Sequence, residues 1–209
     1  MSSEESGERR IQRATGSSAR ADRFYERQMR QSLNSRMVDL IQRQEMVFVA
    51  TADADGNCDC SPRFGNPGFV SVVDATTLAY PEFRGNGVFA SLGNILENPH
   101  IGLVFVDFFD TTVGLHVNGK AHSYKADELP QSLSNSRLRE DSGNTSILER
   151  WVVITVDEAY IHCSKHVPRL EKILKPIDWG TDDPIAKSND YFLKEDASTS
   201  CENDTQTES

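Results

Sequence analysis

Two strand-like runs stand almost side by side in the middle of the chain and limit the folds open to it. Ile101–Phe109 is almost continuously apolar, and Val113–Tyr124 begins with alternating apolar and polar residues. Three residues separate the two runs. A parallel strand pair needs a crossover of about a dozen residues or more, so these runs predict an antiparallel hairpin.

Similar patterns flank this hairpin on both sides. We predict further strands at Met46–Ala52, from Cys60 to Arg63, at Phe69–Val73, at Thr77–Tyr80 and at Trp151–Val156, the last continued past a bulge by Glu158–Cys163. Asp53-Ala54-Asp55-Gly56 is typical of a hairpin turn. Helices are predicted at Ala19–Gln44, with a break near Asn34-Ser35, and at Val88–Asn98, whereas Ala126–Arg139 is helical or irregular. Six or more antiparallel strands with two or three helices indicate an α+β, mainly β protein with a closed barrel rather than a βαβ sheet.

Composition separates the ends of the chain from its middle. Residues 1–18 and 180–209 are polar, and the second segment carries eight acids and two lysines. We therefore expect two disordered tails around one domain at 19–179. The net charge of -10 argues against nucleic acid or an anionic membrane as a partner. We expect a cytoplasmic protein, since the chain has neither a membrane-length apolar run nor a secretory signal.

The four cysteines do not form a disulfide framework. Cys58 and Cys60 together with His162 and Cys163 are a conceivable zinc set. However, residues two apart on a strand share a face without needing a metal, and the usual CxxC spacing is missing. We therefore expect no metal site.

The segment Tyr80–Pro99 predicts a strand end, a glycine-rich turn with one arginine, and a short helix. Backbone N–H groups at a helix start favour an anion, and Arg84 adds a charged donor. Gly85 and Gly87 let a ligand approach the backbone closely. The segment is thus a candidate phosphate site, although such a turn is also common without any ligand.

The order of these segments resembles a known family. Ser61-Pro62-Arg63 is followed by a strand ending in Tyr-Pro, the Arg-Gly-Asn turn, Asn94–Pro99, Val117–Ala121 and Glu158–Lys165. Across roughly residues 20–175 this arrangement is similar to the pyridoxamine 5'-phosphate oxidase-like proteins, the FMN-binding split β-barrels. The resemblance is to the broad superfamily and not to the vitamin B6 oxidase itself.

This resemblance implies a split barrel that forms a homodimer, with an FMN in each cleft between subunits. It also implies that residues from both chains contact the cofactor. The cofactor-binding positions that it implies are Ser61, Arg63, Tyr80, Arg84, Gly85, Asn86, Gly87, Ser91, Asn94, His116, Asn118, His162 and Lys165. The apolar strand Ile101–Phe109 would contribute to the dimer interface.

Four residues differ from the family pattern. Val88, Phe89 and Gly93 stand where many relatives carry a basic residue. His116 stands where relatives often have arginine. The phosphate would then depend on Arg84, Arg63, Lys165 and the backbone.

The function expected from the resemblance is an FMN-dependent oxidoreductase acting on an unidentified small molecule. His116 or His162 would give or take a proton, but no catalytic residue is assigned. The alternatives are a barrel that binds deazaflavin or haem, the latter favoured only by His116, His162 and His166, and a flavin- or ligand-binding protein without turnover. Each candidate residue also has an ordinary structural role open to it, such as a surface ion pair for Arg63 or an exposed strand position for His116.

Overall fold

The structure, a computed structural model, describes residues 6–131, residue 133 and residues 148–175. Within these residues it contains seven β-strands, four α-helices and two short 3₁₀ helices. The helices are α1 (Gly7–Ala14), α2 (Ser18–Arg27), α3 (Ser35–Arg43) and α4 (Ala90–Glu97), with 3₁₀ turns at Ala126–Glu128 and Ser164–His166. The strands are β1 (Met46–Ala52), β2 (Cys58–Phe64), β3 (Ser71–Asp74), β4 (Thr77–Phe83), β5 (His100–Val106), β6 (Gly114–Lys125) and β7 (Leu148–His162).

All seven strands belong to one antiparallel sheet in the order β2-β1-β5-β6-β7-β4-β3. The hairpin predicted from the central runs is the β5–β6 pair, with Leu103 opposite Val117. The α+β antiparallel fold of split-barrel type is confirmed. Backbone hydrogen bonds do not close the sheet into a ring, because β2 and β3 remain edge strands. In that respect the prediction of a closed barrel is wrong.

The hydrophobic core lies on one face of this curled sheet. The central strands contribute alternate residues, for example Val47 and Val49 of β1, which are fully buried, whereas no residue of β2 is buried. Helices α3 and α4 add Leu40, Ile41, Leu92 and Ile95 to the same cluster. Burying a large aliphatic side chain contributes about 1.5–3 kcal/mol, so these helices are held mainly by their apolar faces.

The N-terminal region departs from the expected disordered tail. Gly7–Ala14 is a helix, and Ser18 begins the next one. Polar contacts account for this order: Ser6 caps α1, and Tyr25 of α2 contacts Glu8 and accepts a hydrogen bond from Gln12 at 2.6 Å. The sequence pattern missed α1 because almost no apolar burial accompanies it. The predicted tail at 180–209 lies outside the described residues.

The helix predicted at Ala19–Gln44 is interrupted over residues 28–34. There Arg30 exchanges two backbone hydrogen bonds with Ala159 of β7, at 3.0 and 2.7 Å. Leu33 enters the core, and its N–H donates to Ala75 O at 2.7 Å. Asn34 then caps α3 by accepting from the N–H of Met37. The break therefore starts earlier than predicted, because this segment bonds to the sheet.

Local hydrogen bonding and register account for where β5 ends and for the bulge within β7. β5 stops at Val106, short of the predicted Phe109, since the Asp107 carboxylate accepts hydrogen bonds from the backbone N–H groups of 109–111. β7 runs through to His162 with the predicted bulge, because Asn118 pairs with Glu158 while Gly119 pairs with Val156. In the segment predicted as helical or irregular at Ala126–Arg139, only Ala126–Glu128 is a 3₁₀ turn among the described residues.

Candidate functional site

The turn between β4 and α4 has the backbone form expected of an anion site. Gly87 has φ +81° and Phe89 has φ +53°, a left-handed conformation that is costly for a bulky residue. No side chain caps the start of α4, so its first N–H groups lack a capping acceptor among the described residues. Asn86 instead accepts from the N–H of Val88 and stabilises the turn itself.

Arg84 lies in this turn and forms an ion pair across to β7. Its Nε lies 3.2 Å from Glu149 Oε1, and the side chain is about half exposed. A surface pair of this kind contributes little to stability. Gly85 and Gly87 have open space around their Cα atoms, so a ligand can approach the turn without meeting side chains.

A second arginine is held much more tightly beside α4. Arg63 of β2 donates from Nη1 to Ser61 Oγ at 2.6 Å and from Nη2 to Ser91 Oγ at 3.2 Å. Its Nε lies 3.0 Å from Glu82 Oε2, and both side chains are less than a fifth exposed. Ser91 Oγ in turn donates to Asp59 Oδ2 at 2.9 Å. We refer to Asp59, Ser61, Arg63, Glu82 and Ser91 as the Arg63 cluster.

Negatively charged side chains outnumber positively charged ones around this site. Arg63 and Arg84 are opposed by Asp59, Glu82 and Glu149. A phosphate placed here would therefore meet its hydrogen-bond donors and also compete with carboxylates for them.

Two other predicted residues of this region, Tyr80 and Asn94, contribute to the internal packing of the protein. Tyr80 is fully buried, and its Oη has no hydrogen-bond partner among the described residues. Burial and the nearby Glu82 charge raise the pKa of Tyr80 well above its usual value. Asn94 donates to Thr51 Oγ1 at 3.0 Å, which ties α4 to β1.

The predicted histidines meet on β6 and β7. His116 Nε2 lies 2.9 Å from His162 Nδ1, and the His116 ring stacks on Tyr160 with centroids 4.8 Å apart. Burial, then the neighbouring His162, lowers the pKa of His116. His116 is therefore held as a neutral imidazole that shares one hydrogen with its partner. We refer to His116 and His162 as the histidine pair.

Asn118 continues the same row of side chains. It donates to Glu158 Oε1 at 2.8 Å, directly across the strands. Lys165 lies in the 3₁₀ turn after β7, and neither it nor His166 makes an ion pair or side-chain hydrogen bond to another described residue.

The sheet separates the predicted residues into two groups. Ser61 and Arg63 lie opposite Val49 and Val47, and so belong to the core-facing side of the sheet. His116 lies opposite Val104 of β5, on the other side, since Leu115 and Val117 face the core. Within one chain, the Arg63 cluster and the histidine pair therefore face opposite sides of the sheet.

Three residues of the site were not predicted. Asp59, Glu82 and Tyr160 contact predicted residues directly. Asp59, Ser61 and Arg63 alternate along β2, so period-two spacing was the signal that they share a face. The contact with Glu82 had no local signal, because 19 positions separate it from Arg63.

Three further observations concern metal binding, the cysteines and the helices. In the described part of the chain, no three His, Cys, Asp or Glu side chains are grouped so as to hold a metal ion. Cys58, Cys60 and Cys163 are all exposed free thiols. The helices of the described ranges are too short or too polar for any of them to cross a bilayer.

Comparison with known proteins gives one match to a family model and several to solved structures. The model of the pyridoxamine 5'-phosphate oxidase family matches residues 33–163. HupZ of Group A Streptococcus is 21% identical, with 66% of this chain and 99% of that chain covered and a TM-score of 0.48. No curated protein sequence matches the chain.

Two other solved structures show the same level of likeness. A Clostridium acetobutylicum protein related to general stress protein 26, of the pyridoxinephosphate oxidase family, is 12% identical, with 66% and 94% covered and a TM-score of 0.44. An FAD-binding protein of Mesorhizobium loti is 12% identical, with 65% and 99% covered and a TM-score of 0.41.

Proposed function

Because the chain belongs to the pyridoxamine 5'-phosphate oxidase family, we propose that it is a flavin-binding oxidoreductase. In this proposal the cofactor is FMN, bound in a cleft between two subunits, and the substrate is a small molecule. The family assignment rests on a match over well over half of the chain.

The observation that carries the proposal is the set of donors gathered at the start of α4. Arg63, Ser61 and Ser91 already form hydrogen bonds with one another at 2.6 and 3.2 Å, and the uncapped N terminus of α4 carries Ser91. Guanidinium, hydroxyl and backbone N–H groups are the donors that a phosphate ester takes. Arg63, Ser61, Ser91 and the turn at Gly85–Gly87 would hold the phosphate.

These donors fit a phosphate, and the carboxylates beside them set its affinity. Glu82 accepts a hydrogen bond from the Nε of Arg63, and Asp59 accepts one from the hydroxyl of Ser91. A dianionic phosphate would displace at least the first of these contacts, which costs binding free energy. We therefore expect weaker FMN binding than a site with unopposed arginines would have.

The outer face of the sheet supplies the second half of the proposed cleft. Phe48 and Val104 lie opposite each other there, only partly buried, and Phe64 is 47% exposed. Val104 and Val106 point away from the core, while Phe105 between them is a core residue, so that the strand offers one face to the core and the other to a partner. An apolar sheet face of this kind fits a second copy of the chain.

That arrangement gives the histidine pair a role. A two-fold dimer would bring His116 and Asn118 of one subunit toward the donor cluster of the other. FMN, when bound, supplies transfer of a hydride or an electron pair to or from the substrate. The neutral His116 imidazole would accept or return a proton, and Tyr160 fixes the plane of its ring.

The test is the absorbance spectrum of the purified full chain, followed by FMN titration. The proposal expects flavin bands, either as purified or after addition of FMN, and oxidation of NADH or NADPH once a substrate is supplied. A colourless protein that does not take up FMN would contradict it. Flavin binding without any turnover would leave a flavin-binding protein that is not an enzyme.

The histidine pair favours haem as a second candidate, since imidazole is a common axial ligand of haem iron. Haem added to the purified protein would then give a Soret band that is lost in His116→Ala. A deazaflavin would instead give a blue-shifted flavin-like spectrum, and only this outcome would favour it over FMN.

A further inference from the structure

A cavity separate from the proposed flavin site lies between α3 and the ends of β6 and β7. Its volume is about 560 Å³, within the range of small-molecule sites. None of the residues predicted to bind the cofactor lines it. We refer to this cavity as the arginine pocket.

Four arginines line the arginine pocket, and no aspartate or glutamate of the described residues does. They are Arg27, Arg30, Arg36 and Arg43. Arg43 lies 3.9 Å from the Asp107 carboxylate and so is partly neutralised. The side chains of Arg27, Arg30 and Arg36 form no ion pair or hydrogen bond with any described residue. A chain with a net charge of -10 thus gathers around one cavity three arginines that no described side chain neutralises.

The walls of the pocket between these arginines are apolar. Met37 and Leu40 come from α3, where they lie between Arg36 and Arg43 on one helix face. Val113, Leu115 and Ile161 form the opposite wall, and Ile161 is 46% exposed although it is a large aliphatic residue. The pocket therefore offers apolar contact inside and positive charge at its rim.

The backbone around the pocket is fixed rather than loose. Arg30 is held by its two hydrogen bonds to Ala159, and the Asn34 cap begins α3 within the pocket wall. Arg36 and Arg43 then follow on the same helix. A site whose charged groups sit on an anchored segment and a helix loses less entropy on binding than one built on a free loop.

We propose that the arginine pocket binds a small amphiphilic anion, a carboxylate or phosphate monoester that carries an aliphatic or aromatic group. The charged end contacts Arg27, Arg30 and Arg36, and the apolar part lies against Leu40, Leu115 and Ile161. Guanidinium groups donate to carboxylate and phosphate in the same forked geometry, so the two headgroups share this chemistry.

The experiment uses anilinonaphthalene sulfonate as a fluorescent amphiphilic anion, titrated into the purified full chain. Octanoate, octyl phosphate and octylammonium are then added as competitors. We expect saturable binding of one probe per chain, displaced by octanoate or octyl phosphate but not by octylammonium. Whichever of the two anions displaces the probe at lower concentration identifies the preferred headgroup.

Variants separate this pocket from general attraction to the protein. Arg30→Gln and Arg36→Gln should each weaken probe binding by about three- to ten-fold, because each removes one charged donor. Arg23→Gln is the matched control, since Arg23 is exposed on α2 and lines no part of the pocket. Circular dichroism of each variant confirms that it is folded.

Three results would overturn the proposal: no saturable binding, equal displacement by octylammonium, or the same loss in Arg23→Gln as in Arg36→Gln. FMN is left out of every sample, and because Arg30 and Arg36 lie outside the Arg63 cluster, their variants distinguish probe bound in this pocket from probe bound at the proposed flavin site.

Discussion

Arg63 and Glu82 form an ion pair with a 3.0 Å N···O distance between strands that are not neighbours in the sheet. Arg63 lies on the edge strand β2, whereas Glu82 lies on β4, beside the opposite edge. Four strands separate β2 from β4 in the sheet. The pair therefore shows that the sheet curls until its two ends meet through side chains, although no backbone ladder joins them.

The first prediction concerns this pair and the cofactor. Glu82→Gln removes the carboxylate that competes for Arg63, so FMN binding should tighten about five-fold or more. Arg63→Gln removes the charged donor and should weaken binding about ten-fold or more. Quenching of FMN fluorescence on titration measures both.

Glu97→Gln is the control for these two variants, because Glu97 lies at the far end of α4 and its carboxylate accepts a hydrogen bond from Ala54 N–H in the β1–β2 turn. Unchanged FMN affinity in both Glu82→Gln and Arg63→Gln would place the phosphate away from this pair.

The second prediction concerns pH and His116. Its pKa in the folded protein lies below the ordinary value of 6.5, so the unfolded chain binds the proton more readily. The stability contributed by the neutral ring is present above that ordinary value and is lost as the pH falls below it. Between about pH 7.5 and about pH 5.5, the Tm of the wild type should fall more than that of His116→Gln.

Thermal unfolding followed by circular dichroism tests this difference. His122→Gln removes an exposed histidine from the same strand and should retain the wild-type slope. Parallel slopes for the wild type and His116→Gln would mean that another group carries the acid sensitivity.

The third prediction compares two glycines. A Cβ at Gly119 would lie 2.1 Å from Thr155 O, beside the bulge of β7, so Gly119→Ala should destabilise the protein by about 2–4 kcal/mol. Gly93 lies within α4, and a Cβ there would meet no described atom within 4 Å beyond its chain neighbours and the backbone of its own helix. Gly93→Ala should stabilise by about 0.5–1 kcal/mol, since alanine favours helix.

Urea unfolding of the two variants gives both numbers. A loss below about 1 kcal/mol in Gly119→Ala would show that β6 and β7 can separate locally at the bulge.

The fourth prediction tests the dimer. Val104→Glu places a charge on the outer sheet face, where burial against a second copy would be costly. Sedimentation should show a dimer for the wild type and a monomer for this variant. Leu96→Glu alters an α4 residue that is 79% exposed and should leave the dimer intact. A monomeric wild type at micromolar concentration would remove the cleft between subunits.

The sequence predicted those parts of the fold that depend on neighbouring residues. The β1–β2 turn formed as expected because Gly56 adopts φ +86° and Asp53 bonds the backbone N–H groups of Asp55 and Asn57. The bulge in β7 also follows from local spacing. The break over residues 28–34 was placed too late, because a contact with Ala159, more than a hundred positions away, decides it.

The candidate site was predictable in part. The resemblance to the family identified Ser61, Arg63 and Ser91, and these residues do meet. The match to the family is confirmed, while their role toward a cofactor stays a prediction. The contact of His116 with His162 depends on strand register, which single-strand patterns do not reveal.

The backbone hydrogen bonds between Arg30 and Ala159 also protect the edge of β7 from pairing with strands of other molecules. β7 pairs with β4 as far as Thr155, and Val156 N–H still donates to Thr76 O at 2.8 Å. Beyond Val156, the backbone hydrogen bonds on this side of β7 in the described part of the chain are the two between Ala159 and Arg30. Exposed strand edges recruit further strands and seed aggregates. The segment between α2 and α3 therefore covers this edge of β7. A truncation that removes the segment should make concentrated protein aggregate sooner.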